Sequence, residues 1–273
     1  MRKRLFGTSF LLFTALATAQ TPISDHLERD LRQHYEKKVV LVRHFYEGPL
    51  IRYDDTMQVV RAPEGSWTVT GYVQIKKVHV KDGAVFMEGE RLAAIFDEKK
   101  KTMRLARYDE PVVIKFPIAS DDDTRKKLFQ IFVSKGDEAA SLVPSYWRHY
   151  AETHDLTDPS KPFAESPKAP VPPTDVHRVG GEITPPRPIY KPEPSFTQFA
   201  RRFRIQGQMG LVVTLNEKGE PQDISIVEPL GAGLDESAVA AIQKWRFEPS
   251  RKKDSGEPVK VRIQVDVDYR FYN

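Results

Sequence analysis

Two spacings of apolar residues alternate along the chain. From Ile23 to Lys37, Ile23, Leu27, Leu31 and Tyr35 recur every fourth residue, which predicts one helical face. A period of two follows. "VVLVRHFY", "LIRY", "WTVTGYVQIKKVHV", "AVFMEGERLAAIF", "TMRLARY" and "PVVIKF" read as strands. Asp82-Gly83, between Val80 and Ala84, is a two-residue hairpin signal, and short turns between successive strands predict antiparallel pairing. "DDDTRKKLFQIF" returns to helical spacing, with Leu128, Ile131 and Phe132 on its apolar face and Asp121 or Asp122 as its cap. "EAASLVPSYWRHY" is a second helical piece, interrupted by proline. Residues 21–150 therefore read as an α+β domain, a mostly antiparallel sheet with flanking helices, with Trp67 and Trp147 as core anchors.

Periodicity then fades. Eleven of the 21 prolines fall between Pro159 and Pro194, and residues 151–178 are expected to form a semi-rigid, extended linker. Roughly 35 residues at about 3.1 Å each would reach on the order of 100 Å. Residues 179–273 regain order as helix, strand, strand, helix, strand. "FTQFARRF" places Phe196, Phe199, Ala200 and Phe203 on one face, with Gly207 positioned to end that helix. "QMGLVVTL" and "DISIVE" are strands joined across Gly219. In "GLDESAVAAIQKWRFEP", Asp235 is the expected cap, and Ala238, Ile242 and Trp245 share a face. Glu248 precedes Pro249 and so resists the helical conformation, which turns Phe247 back into the core from extended chain. Val259, Val261, Ile263, Val265, Val267 and Tyr269 then alternate with polar residues, as in a strand with one dry and one wet face.

Composition narrows the chemistry. The chain of 273 residues has no cysteine, which excludes disulfides, thiolate metal sites and cysteine catalysis. Its first residues combine a basic "MRKR", the apolar "LFGTSFLLFTALATA" and an Ala17-Thr18-Ala19 cleavage signal before Gln20, so residues 1–19 read as a secretory signal peptide. Cleavage would reduce the net charge from +4 to 39 basic against 38 acidic residues, which leaves no electrostatic case for nucleic acid. Lys99, Lys100 and Lys101 follow Asp97 and Glu98 and read as a solvated turn. The seven histidines lack zinc spacing. Asp121, Asp122 and Asp123 read as helix caps rather than as a calcium site, and Gly231-Ala232-Gly233 lacks the third glycine of a dinucleotide loop. No cofactor, no metal and no enzymatic activity are expected.

The segment "RIQGQMGLVVTLNEKGEPQDISIVE", followed by "LDESAVAAIQKWRFEP", "GEPV" and a final alternating strand, resembles the C-terminal domain of TonB. TonB is the periplasmic protein that transmits energy to outer-membrane transporters. The resemblance covers residues 179–272 and implies an αββαβ domain, with Gly207, Trp245, Phe247 and Pro249 as its structural signature. It also implies that an unpaired edge of the last strand, at Val261, Arg262, Ile263, Gln264 and Val265, takes an extended segment of an envelope partner by strand addition. The backbones of Val261, Ile263 and Val265 are the expected partners, and the outer-membrane transporter is the expected protein. A homodimer through the same strand is the alternative occupant. The family's Tyr-Pro-x-x-Ala is here Phe196-Thr197-Gln198-Phe199-Ala200, and Arg201 and Arg202 stand near where known members are glutamine-rich. The N-terminal hydrophobic stretch has no histidine, so a periplasmic, exported interaction module is the reading. An inner-membrane-anchored energy transducer, or a small-ligand carrier using the N-terminal β domain, are the alternatives. That β domain resembles regions found ahead of TonB-like modules.

Overall fold

A computed structural model describes residues 23, 26–97, 102–134, 139–157 and 169–271. The expected signal peptide at 1–19, the lysine tract at 99–101 and the proline-rich residues 158–168 lie outside the described residues. The fold is α+β. Among the described residues no helix is long and apolar enough to cross a membrane.

The N-terminal half opens with helix α1 (Leu27–Tyr35) and continues through β1 (Val39–Leu41), β2 (Leu50–Arg52), the one-turn helix α2 (Trp67–Thr70), β3 (Tyr72–Lys81), β4 (Ala84–Asp97) and β5 (Thr102–Pro117). The sheet order is β1-β3-β4-β5-β2, antiparallel throughout except that β2 runs parallel to β5. The Asp82-Gly83 turn forms as expected, with φ of 49° and 69° joining Lys81 to Ala84. Two expectations change. "TMRLARY" and "PVVIKF" are one strand, because Asp109 takes φ 53° and absorbs a register shift between Glu90 and Leu92 as a bulge. The stretch starting at Trp67 begins as a helical turn. The Thr70 hydroxyl donates to the Ser66 carbonyl and the Gly71 amide to that of Trp67. A Cβ at Gly71 would lie 2.5 Å from the Trp67 carbonyl oxygen, so this tight turn needs glycine. Trp67 is buried by it, in an edge-to-face contact with Trp147 at 5.0 Å.

Helix α1 buries Leu27 and Leu31 as its spacing predicts. Its polar face meets the free edge of β3. Glu28 and Glu36 accept from the amides of Val80 and Val78, each at 2.9 Å, and the Arg32 Nε donates to the Val78 carbonyl. Three side chains spaced four apart thus satisfy the strand's outward backbone. Helix α3 (Asp121–Ile131) is capped by Ser120, not by Asp121 or Asp122. The Ser120 hydroxyl accepts from the Asp123 amide, and the Asp123 carboxylate accepts from the Ala119 amide, a reciprocal box that leaves Asp122 free to pair with Lys126.

After α4 (Ser145–Thr153) the proline content predicts an extended spacer, but its described residues are folded. The Leu156 carbonyl accepts from the Tyr72 hydroxyl, and the Pro170 carbonyl accepts from Arg262. β6 (His177–Arg178) joins the second sheet, and β7 (Arg187–Tyr190) pairs with β10 (Arg246–Glu248). Proline removes one donor but leaves carbonyls, and the chain uses the residues between prolines to bond. Then come α5 (Gln198–Arg202), β8 (Gly207–Leu215), β9 (Pro221–Glu228), α6 (Leu234–Ile242) and β11 (Val261–Tyr269), the expected αββαβ order with β10 added. This sheet runs β6-β11-β8-β9. Gly207 does not end α5, since Phe203 and Arg204 (φ 50°) turn the chain before it. Gly207 opens β8, where a Cβ would come within 2.9 Å of Leu230.

The two halves share one apolar cluster. Trp67, Phe96, Trp147 and Tyr150 belong to the same buried group as Phe199, Leu211, Ile226, Ile242 and Trp245, with α4 packed beside β9. Backbone joins them as well. Past Leu92, β4 has no β3 partner, and the loop before α6 fills that position. Phe96 N–H donates to the Leu230 carbonyl, Ala232 N–H donates to that of Ala94, and Ile95 bridges Gly231. Gly231 has φ +85°, and a Cβ there would sit 2.2 Å from the Ala94 carbonyl oxygen. Gly231-Ala232-Gly233 is therefore a seam between halves rather than a simple lead into the helix.

Candidate functional site: the open edge of the last strand

Helix α6 ends at Ile242, and Trp245 follows one turn later. Trp245 is 3% exposed, donates its indole N–H to the Pro192 carbonyl at 3.0 Å, and carries the Lys191 ammonium 4.7 Å above its ring. Phe247 is buried beside it, and its amide donates to the Gly219 carbonyl. Gly219, at φ +79°, has room for no side chain against Phe247, where a Cβ would be 2.0 Å from the carbonyl oxygen. Pro249 follows the last residue of β10. These residues hold α6 and the β8–β9 turn onto the sheet.

Asp235 does not cap α6. Gly233, at φ 76°, occupies that position, and Asp235 reaches back to accept from the amides of Leu230 and Gly231 at 2.8 and 2.5 Å. It thereby braces the seam. Burial pushes its carboxyl well above the ordinary range, and the neighbouring Glu236 charge adds to this. Glu236 faces the N-terminal half. It accepts from the Thr68 hydroxyl at 3.1 Å and the Trp147 indole at 3.2 Å, and burial raises its pKa too. Neither acid has a cationic partner among the described residues, so neutral donors alone hold both.

β11 pairs with β8 without interruption from Val261↔Leu215 to Tyr269↔Gly207. Its other side pairs with β6 at Val261 and Arg262 only. Of the five residues expected on the edge, Ile263, Gln264 and Val265 lie beyond β6, where the edge is unpaired as far as Tyr269 among the described residues. The direction of the backbone can be assigned. The His177 amide donates to the Lys260 carbonyl at 2.9 Å, so Lys260 faces outward. Backbone direction alternates along a strand, and the β11–β8 register has no bulge. Gln264, Asp266 and Asp268 therefore present free N–H and C=O groups, while Val261, Ile263 and Val265 spend theirs on β8. This corrects the expected backbone partners by one residue. The side chains alternate the same way. Val261, Val265, Val267 and Tyr269 are buried, and Gln264, Asp266 and Asp268 are exposed. A groove of about 450 Å³ follows the far end of the edge, between Asp266–Arg270 and Lys191–Phe196. A second cleft, of about 490 Å³, lies at the junction of the halves, between residues such as Glu47, Val69, Glu110 and Phe199.

An αββαβ module whose last strand keeps an open edge, clamped to a second sheet, is the class of protein these elements define. Residues 192–271 match the family described as Gram-negative bacterial TonB protein C-terminal, so this part of the chain is a TonB-like C-terminal domain. The chain is 29% identical over 79 residues to protein tonB2 of Pseudomonas aeruginosa. That match spans 29% of this chain and 29% of the relative, so the chain spans less than a third of the length of the curated relative it matches. A solution NMR structure of Pseudomonas aeruginosa TonB CTD aligns at 19% identity with a TM-score of 0.28, covering 37% of this chain and 98% of that one.

Proposed function

We propose that the C-terminal half is a periplasmic docking module that receives an extended segment of an envelope protein, an outer-membrane transporter of the TonB-dependent kind, as a strand added to β11. The observation that carries this is the open backbone at Gln264, Asp266 and Asp268 on a TonB-like domain. Strand addition supplies affinity through main-chain bonds and needs just such a row of free donors and acceptors. The reading makes the protein a binding partner and assigns it no catalysis. The N-terminal half holds the module through the seam. The signal-peptide reading of residues 1–19 places the mature chain in the periplasm, beginning at Gln20. A mature mass that retains those residues would point instead to the anchored transducer.

Replacing Asp268 with a photo-crosslinking residue in cells that make the full chain is the test. The expected product is an adduct with an outer-membrane β-barrel protein, lost in Gln264→Pro. Proline there removes only an outward N–H and spares the β8 ladder, so the melting curve of the variant should stay close to that of the parent. Adducts only with a second copy of the chain would select the homodimer, and adducts with neither would defeat the edge reading.

A further inference from the structure

The cleft at the junction of the halves belongs neither to the strand edge nor to the groove beside it. Its lining takes residues 47–49, Val69 and residues 110–111 from the N-terminal half, and residues 197–199 and Gly233 from the C-terminal half. A Cβ at Gly233 would lie 3.1 Å from the Val69 side chain, so the halves touch along its wall. A volume of about 490 Å³ is that of a small-molecule site. The fully buried Arg91 fixes the N-terminal side, donating to the carbonyls of Tyr46, Gly48 and Thr70 at 2.6, 2.9 and 3.1 Å. The charge of the lining is one-sided. It holds Glu47 and Glu110, and no lysine, arginine or histidine among the described residues. Elsewhere in this half, half-buried acids are matched. Glu28, Glu36 and Asp54 accept from backbone amides, and Glu88, Glu90 and Asp123 lie against His79, Lys76 and Lys127. Glu110 is half-buried too, yet its carboxylate has neither donor nor cation among the described residues, nor has that of Glu47. A half-buried carboxylate left unmatched is a cost to the fold and a ready acceptor for a ligand.

We infer that this cleft binds a small aliphatic amine with two or more ammonium groups, with Glu47 and Glu110 as its anions. The inference stands apart from the strand-edge reading. An ammonium brings three donors and no acceptor, which suits carboxylates with acceptors to spare. The methylenes between the ammonium groups are matched by Pro49, Val69, Pro111 and Phe199 on the same lining. A bare metal ion fits less well. No group of three or more metal-ligating side chains occurs among the described residues, and calcium takes about six to eight oxygens. An anion would meet two carboxylates and no cation on the lining. Because the lining comes from both halves, a bound amine contacts both and stabilises their junction.

Isothermal titration calorimetry of the full chain with spermidine at low salt is the test. Spermidine should bind at one site and raise the melting temperature, and magnesium chloride at the same concentration should do neither. Glu110→Gln and Glu47→Gln keep the shape and remove one charge each. Each should weaken binding about tenfold, while Glu64→Gln, an exposed acid outside the lining, should leave it unchanged. Without ligand the variants should melt at least as high as the parent, since neither carboxylate is bonded in the free protein. By NMR, the Val69 methyls should shift on titration and those of Val39 should not. Absence of binding would overturn the site. So would heat that magnesium reproduces, or spermidine affinity that survives Glu47→Gln/Glu110→Gln. Tighter binding of a trilysine peptide than of spermidine would make the cleft a contact for another protein's lysines and overturn the free amine. None of these outcomes bears on the strand edge.

Discussion

Each of the two larger sheets has a long strand whose outward backbone must go somewhere, and the two halves deal with it differently. In the N-terminal half, β3 turns its edge toward α1, whose Glu28, Arg32 and Glu36 bond to Val78 and Val80. In the C-terminal half, β11 is covered by β6 at Val261 and Arg262 alone. A strand edge left open is an invitation to pair with another chain. The first sheet has closed that invitation with charged side chains, while the second keeps it over the stretch after Arg262. The contrast argues that the open edge is a feature of the module, because the same chain shows how an edge is closed.

The comparison first requires that the module be one packed body. Trp245→Ala should cost about 3–5 kcal/mol, since it empties a site between α6, Pro192 and the sheet. Urea denaturation followed by far-UV circular dichroism measures this, and a loss below about 1 kcal/mol would mean that Trp245 is no core residue. Smaller effects should then separate the two edges. Glu36→Ala leaves the amide of the fully buried Val78 without its acceptor and should cost about 1–3 kcal/mol. Gln264→Ala on the open edge should cost less than about 0.5 kcal/mol. Equal costs would erase the distinction between the edges.

The seam between the halves offers a further contrast, with a pH signature. Asp235 and Glu236 have raised pKa values in the folded chain. Their contribution is whole below the ordinary carboxylate range. It declines as pH rises past about 4, where the unfolded chain ionises first, up to the raised folded values. Asp54, Asp122 and Asp175 tilt the protein the other way. Hydrogen bonds from Thr56, Lys126 and Lys260 respectively hold them low. The informative quantity is therefore the difference between parent and Glu236→Gln. The variant should lose stability less steeply as pH rises toward neutrality, and parallel curves would remove Glu236 from the linkage.

Much of this was legible in the chain. The two-residue period of Val261 to Tyr269 predicts both the strand and its buried face, and Trp245 with Phe247 predicts the packing that pins α6. Asp82-Gly83 announces its turn because few pairs accept positive φ twice. What escaped depends on partners distant in sequence. Trp67 sits in a strand-like run, yet a hydroxyl back-bond and Gly71 coil it into a helical turn. Asp235 stands where caps stand, but the seam it braces exists only once β4 is in place. The choice between odd and even residues of β11 turns on one long-range bond, from His177 to Lys260. Prolines advertise a spacer, and only the folded chain shows that the residues between them bind the second sheet. The resemblance to TonB named the last strand as the partner edge, but not which of its backbone groups remain open.

Amide hydrogen exchange along β11, read residue by residue by NMR on the free monomeric protein, tests the open edge most directly. The amides of Ile263, Val265 and Val267 should be strongly protected by β8, and those of Gln264, Asp266 and Asp268 should exchange quickly, while Val78 and Val80 on the closed edge stay protected. Uniform protection along β11 in the monomer would mean that its outer side is already occupied, and would contradict the account.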